Sequence, residues 1–440
     1  MGHGHGESVR RSSRAVRLVL FAAVVPFVVA TMIGLVVLWP RHSKLEPAVG
    51  LDAPVELIDA TVRSVTRTPC PGGGLVCQTA DVLLTSGAHK DESAAIRDAP
   101  VGSGIPALHQ GDRIVVGRSQ DPTTGRVDIY FADYQRKQSL ALLAAVFAVF
   151  VVAVARWRGF ASLVGLGFTF GVLVRFMLPA ILDGRSAIAV ALVGSSSIML
   201  VVLYLAHGFN ARTTTALLGT LTSLGVTGVL AVVFVGATHL SGQGSEEASY
   251  LQTAVGTLNL QGLILGGTII GSLGVLNDVT VTQSSSVWEL HHGNPGRGGR
   301  SLYRSAMRIG RDHIASTVYT LVLAYAGASL PLLVLFTVVN RRLSDVITSE
   351  VVAVELVRTL VGLIGLVLAI PITTALAAMV VSRTDVDAAG HDEQHEGWAA
   401  AGGARRPGRR SLGRRMPAWT KRPRGADEWT PPAAEREWRE

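Results

Sequence analysis

Apolar residues gather into eight long runs along this chain: 16–39, 140–155, 160–182, 187–206, 216–238, 254–276 and beyond, 314–339 and 351–381. Each approaches or exceeds the roughly twenty residues that cross a bilayer as a helix. Between the first two runs the pattern changes period. Val55–Val65, Thr79–Thr85, Asp112–Gly117 and Val127–Tyr134 alternate apolar and polar positions and are separated by Gly, Pro and Asp clusters. Period two with turn punctuation predicts a small β domain of about five strands. The expected fold is an all-α polytopic membrane bundle of about eight transmembrane helices, with a small extracytoplasmic β domain between helices 1 and 2.

The boundaries that follow are a cytoplasmic N-terminus at 1–15, a first transmembrane helix at 16–39, the β domain at 40–137 and a seven-helix transmembrane region at 138–382. That region includes a cytoplasmic amphipathic segment at 291–313, and a basic tail follows at 383–440. The first run is too long for the apolar core of a signal peptide and is read as a span. The tail, rich in Arg, Pro, Gly, Ala and Glu, has no apolar period and is expected to be disordered. Its block Ala404–Arg415, ARRPGRRSLGRR, would lie against anionic lipid.

With 48% hydrophobic and 16% charged residues the composition agrees with a membrane protein, and the formal net charge of +8 is unevenly placed. Arginine collects at the N-terminus, at Arg156 and Arg158, at Arg212, between Arg297 and Arg311, and in the tail. By the positive-inside rule these segments and both termini are cytoplasmic. Asp183, Glu246, Glu247 and the β domain then lie outside, and only Arg341 and Arg342 run against the rule. The charge thus reads as membrane orientation, with lipids as partners and no nucleic acid. The two cysteines, Cys70 and Cys77, flank a glycine-rich loop and would form a disulfide in an extracytoplasmic domain.

Polar residues inside apolar runs are the candidates for function, because each is costly in hydrocarbon unless partnered. The stretch Gly271–Leu290, GSLGVLNDVTVTQSSSVWEL, holds Asp278, Thr282, Ser285 and Glu289 at helical spacing, with Asn277 beside them. If the helix continues through them, they form one stripe suited to a proton or ion relay. If it ends near Leu276, Asn277 and Asp278 only cap its exit. Upstream, Gly262, Gly266, Gly267, Gly271 and Gly274 have the spacing that lets another helix approach closely. In the last run, Glu355 and Arg358 are spaced for an intrahelical pair. They form a structural charge pair, or Glu355 instead joins Asp278 or Arg311 in a relay. Pro371 is expected to kink that helix. Arg300, Arg304, Arg308 and Arg311 form a basic stripe that predicts an interfacial helix.

No histidine shows metal-ligand spacing, and no nucleophile motif or phosphate loop follows a strand. The expectation is a protein without metal or cofactor that is not an enzyme.

Three blocks resemble those of the YibE/F family of bacterial membrane proteins: GSLGVLNDVTVTQSSSVWEL, RIGRDHIASTVYTLVLAYAGASLPLLVLF and SEVVAVELVRTLVGLIGLVLAIPITTALAA. The resemblance spans about Leu140 to Met379 and implies a multi-pass protein of the bacterial plasma membrane, with no defined activity. A weaker, partial similarity is to the transmembrane half of resistance-nodulation-division permeases and related protein-export accessory proteins. It implies that Asp278 belongs to a proton pathway. Asn277 stands where those proteins commonly have a first acid, and two extra spans precede the similar block.

The function expected is a proton- or ion-coupled transporter or export-accessory protein, with Asp278, Glu355, Asn277, Thr282 and Glu289 as relay candidates. The rival is a membrane scaffold that presents the β domain to an envelope partner, its polar spans serving only to lock helices together; the protein partner expected is an envelope protein or a second copy of the chain in a homo-oligomer.

Overall fold

A computed structural model of the protein describes residues 14–41, 56–70, 76–102, 106–120, 127–255, 258–338 and 342–399. The expected loop between the cysteines and the basic block of the tail lie outside the described residues. Contacts divide the chain into Met1–Ala389 and Gly390–Glu440.

The β domain is one antiparallel sheet of β1 (Glu56–Pro69), β2 (Val76–Leu84), β3 (Ser93–Pro100), β4 (Arg113–Gln120) and β5 (Val127–Tyr134). The strand order is β3-β2-β1-β4-β5, and the outer strands β3 and β5 approach each other, so the sheet curls into a half-barrel. Alternation along β1 puts Ile58, Ala60 and Val62 inward against Val82, Leu84, Ile114 and Val116. One buried polar group holds the connection after β3: the Gln78 amide donates to the Pro106 carbonyl (2.7 Å) and accepts from the Leu108 amide (3.0 Å). Cys70 and Cys77 form a disulfide between the end of β1 and the start of β2. The sequence pattern located four of the five strands by residue; β3, SAAIRDAP, has too little apolar alternation to stand out.

The helices are α1 (Arg14–Leu38), α2 (Lys137–Val172), α3 (Leu178–Leu182), α4 (Ala187–His207), α5 (Ala211–Ala237), α6 (Glu246–Val255), α7 (Leu260–Gly293), α8 (Gly299–Ala328), α9 (Leu330–Val338), α10 (Leu343–Ile347) and α11 (Glu350–Ala399). A π-helical turn, Leu173–Met177, joins α2 to α3. Among the described residues six helical stretches are long and apolar enough to cross a membrane, or seven if α8 and α9, bent by 60°, count as one span. The protein is therefore a membrane protein. The count differs from eight because expected spans two and three form one helical stretch, Lys137–Leu182. That stretch breaks at Arg156, whose φ of 53° and ψ of −130° are not helical, and past the break the Gly159 backbone lies against the Val151 carbonyl too closely to admit a side chain.

Two further boundaries move. The amphipathic segment expected at 291–313 is not a separate interfacial helix: its second half opens α8 and runs on into the next span. Leu302, Ala306 and Gly310 are buried on one face while Arg300, Arg304, Arg308 and Arg311 are exposed on the other, so the amphipathic period continues without a break signal. The last helix continues past Arg383 to Ala399, and Pro371 lies within it without ending it.

The largest core cluster joins α4, α5, α7 and α11 through Val190, Ile198, Leu217, Leu224, Ile269, Leu276, Leu366 and Ile370. Gly262 and Gly266 of α7 lie against Ala187 at the head of α4, the close approach that their spacing predicts. Gly274, by contrast, is exposed and meets nothing within 4 Å.

Candidate functional site

Where α5, α7 and α11 meet, their buried faces carry hydroxyl and amide groups instead of hydrocarbon. Thr220, Ser223 and Thr227 of α5, Thr280, Gln283 and Ser284 of α7, and Thr373 and Thr374 of α11 are all fully buried. Thr220 and Thr280 share a hydrogen bond between hydroxyls (2.6 Å). The Thr374 hydroxyl lies 3.0 Å from the Gln283 carbonyl oxygen and 2.6 Å from the Ile370 carbonyl, and Ser284 donates to the Arg212 carbonyl (2.8 Å). Glycines bring the helices this close. Gly219 faces the Thr373 hydroxyl and Gly365 faces the Thr227 hydroxyl, each without room for a β-carbon, and Gly310 of α8 lies against Gln283 and Ile370.

This polar seam is only partly satisfied. Ser223 Oγ, Gln283 Nε2 and Thr373 Oγ1 are buried without a hydrogen-bond partner, as are Asn277 Oδ1 and His313 Nε2. A buried polar atom left unpaired costs about 1–3 kcal/mol.

The contacts also give depths. Ser284 is level with Arg212, at the connection from α4 to α5, whereas Gly266 is level with Ala187 at the opposite end of α4. At 1.5 Å per residue, Asp278 lies about 9 Å inward from the level of Ser284. The α7 helix runs through it to Gly293, so Asn277 and Asp278 do not cap a helix end. Asp278 and Glu289 are nevertheless exposed, on the α7 face opposite the buried seam, with Thr282 and Ser285 on the same stripe. Among the described residues no side chain pairs with the Asp278 carboxylate. Below it, Thr282, Ser285, Ser286, Glu289 and Arg297 line an open groove of about 750 Å³ that Ile309 of α8 closes on one side.

Glu355 is placed differently. Its carboxylate accepts a hydrogen bond from Arg358 Nη1 (2.8 Å), and the pair is about one third exposed. The Arg358 guanidinium lies over Gly267, 3.5 Å from where a β-carbon would sit, so the pair belongs to the end of the bundle near Ala187. The contacts Arg358 to Gly267 and Thr374 to Gln283 are sixteen residues apart on either helix, which means that α7 and α11 run side by side in parallel. Along that shared axis Glu355 stands about 21 Å from Asp278. Glu355 and Arg358 thus form an ion pair, while Asp278 and Glu355 are not brought together.

Sequence reasoning missed two features. The seam hydroxyls sit singly in apolar helices, and only their coincidence across three helices distinguishes them. The other is Glu350, which accepts hydrogen bonds from the backbone amides of Ser241 (2.8 Å) and Gly242 (2.6 Å) and ties the start of α11 to the end of α5. Outside the spans, the Arg136 guanidinium beside Asp133 holds its carboxyl below the usual carboxylate range. Among the described residues no group of three or more His, Cys, Asp or Glu side chains is placed to hold a metal ion.

Comparison with curated proteins gives no match, and neither does comparison with solved structures. The likeness to resistance-nodulation-division permeases is not supported by these comparisons. The family model described as YibE/F-like protein matches residues 143–383, which is more than half of the chain and holds the seam, Asp278 and the Glu355 pair, and the chain belongs to this YibE/F-like family.

Proposed function

We propose that this is a multi-pass protein of the bacterial plasma membrane, with eight spans and both termini cytoplasmic, that couples movement of a proton or another ion to transport or export. The observation that carries the reading is the Asp278 carboxylate, unpaired and about 9 Å inside the level of Arg212. Ionisable side chains within membrane spans mark ion and proton pathways, and Asp278 is such a residue with no partner of its own.

The eight-span count is supported by parity. Lys137–Leu182 is 46 residues long, about 69 Å as helix, roughly twice the hydrocarbon thickness. Its far end returns to its near side: the Arg41 amide, just past α1, donates to the Asp183 carboxylate (2.6 Å), and Trp39 packs on Phe176 (5.9 Å). A stretch that starts at the β domain and ends beside the exit of α1 crosses an even number of times. The break at Arg156, flanked by Trp157 and Arg158, supplies the turn.

The test is proton movement in liposomes that hold the full-length protein and a pH-sensitive dye. An imposed pH difference should collapse faster than in empty liposomes, and Asp278→Asn should remove the excess. The reading is lost if wild type and empty liposomes behave alike.

A second reading, a scaffold that offers its β domain to an envelope partner, is favoured by the closed Glu355–Arg358 pair and by seam threonines that bond to their own helices, such as Thr220 to Ala216 (3.0 Å) and Thr227 to Ser223 (2.9 Å). It predicts a silent Asp278→Asn in cells whose growth depends on the protein.

A further inference from the structure

We propose that the exposed face of α8 is the binding site of an anionic phospholipid, whose phosphate is held by Arg304 and Arg308. The order of residues along that face matches such a lipid from head to tail. Arg300, Arg304, Arg308 and Arg311 recur every three or four positions, and the same stripe continues through Ala315, Tyr319, Val322 and Leu323, all of them exposed. Tyr319 and Leu323 are each 70% exposed, so no other described element covers this side of the helix. One face of one helix thus changes from cationic to apolar.

Packing and depth put the cationic part where lipid phosphates lie. Leu302 and Ala306, on the opposite face of α8, are fully buried in a cluster with Val287 of α7 and Ala377 and Val381 of α11, which holds the arginine stripe turned away from the bundle. Gly310 lies against Gln283, one residue from Ser284 and so from the level of Arg212. At 1.5 Å per residue, Arg308, Arg304 and Arg300 stand about 3, 9 and 15 Å from that level, on the side away from the apolar span. The headgroup layer of one leaflet is about 5–7 Å thick. Arg308 therefore stands within it, Arg304 at its edge and Arg300 in the water beyond. Ser301 and Ser305 complete an open recess of about 590 Å³ with these three arginines.

Among the described residues none of the four arginines is in an ion pair, and the exposed Asp312 does not pair with Arg308 one turn away. A guanidinium presents paired N–H donors that fit two phosphate oxygens, and it is less tightly hydrated than an ammonium group. Basic pockets at the membrane surface take anionic headgroups by this chemistry. A choline headgroup would bring a second cation among the arginines, whereas a glycerol headgroup brings only hydroxyls, which Ser301 and Ser305 can meet. The apolar continuation selects a lipid over a free phosphate, because only a lipid arrives with chains to run along Tyr319, Val322 and Leu323.

The experiment follows lipid binding to the full-length protein in detergent by native mass spectrometry, with the melting midpoint as a second readout. The first phosphatidylglycerol bound should be held at least tenfold more tightly than phosphatidylcholine and should raise the midpoint. Arg304→Gln with Arg308→Gln should weaken that binding at least tenfold, whereas Arg409→Gln with Arg410→Gln, which removes the same charge from the tail, should leave it within twofold. If the first double variant does not fold, Arg304→Gln alone is read in the same way, with a loss of at least threefold. Inorganic phosphate at the same concentration should neither shift the midpoint nor displace the lipid. Equal affinity for the two lipids, an equal loss in the tail variant, or displacement by inorganic phosphate would each overturn the site. None of these readouts involves ion movement, so a protein that moves no protons can still hold the lipid.

Discussion

Ser284 donates its hydroxyl hydrogen to the main-chain carbonyl of Arg212 over 2.8 Å, which fixes how far α7 descends beside the start of α5. A hydrogen bond between membrane helices contributes about 1 kcal/mol. Ser284→Ala should therefore lower the stability of the detergent-solubilised protein by about that amount. Thermal unfolding checks it, and an unchanged midpoint would show that the bond does not set the depth of α7.

Glycines along the helices should separate sharply by what they touch. Gly219→Ala and Gly365→Ala each place a methyl group on a threonine hydroxyl of the neighbouring helix, and overpacking of this kind costs about 1–3 kcal/mol. Gly274→Ala and Gly225→Ala enter open space and should be neutral or slightly stabilising, because alanine is the better helix former. Folded yield and melting midpoint of the four variants should fall into these two pairs.

Topology is testable residue by residue, since the two native cysteines are joined and do not compete for a thiol label. A single cysteine at Asp183 or Glu246 should react with a membrane-impermeant reagent added outside intact cells. One at Arg304 should react only after the membrane is opened. Labelling of Asp183 from the cytoplasm alone would mean that Lys137–Leu182 crosses once.

Glu355→Gln should leave the Arg358 guanidinium without its counter-charge, and its Nε is already buried without a partner. Because the pair is one third exposed, the expected loss is about 1 kcal/mol. Removing both charges with Glu355→Gln and Arg358→Met should recover most of it. A relay role for Glu355 would show instead as lost proton movement at unchanged stability.

Reduction of the Cys70–Cys77 bond, or Cys70→Ser with Cys77→Ser, should destabilise the β domain by about 2–3 kcal/mol, since the bond closes a short loop at the end of β1. Intact mass under non-reducing conditions should be lower by the two hydrogens that the bond removes. Two free thiols in the purified protein would overturn the assignment.

Period and composition alone determined that the chain is a membrane protein with a β insert after its first helix, because long apolar runs and period-two alternation are properties of consecutive residues. The Glu355–Arg358 pair and the Cys70–Cys77 bond were legible for the same reason: partners three or seven positions apart meet with little help from the rest of the chain. Which face of α7 is buried was not. The stripe that reads as special, Asp278, Thr282, Ser285 and Glu289, points away from the seam, whereas Thr280, Gln283 and Ser284 point into it. A single helix has no means of showing this, because its neighbours decide which side is covered. The depth that separates Asp278 from Glu355, the seam of Thr220, Ser223 and Thr373, and the buried nitrogen of His313 arise from contacts between helices distant in sequence. Tertiary packing alone fixed them, since hydroxyls scattered singly over apolar helices become a site only when glycines such as Gly219 and Gly365 let those helices close on one another.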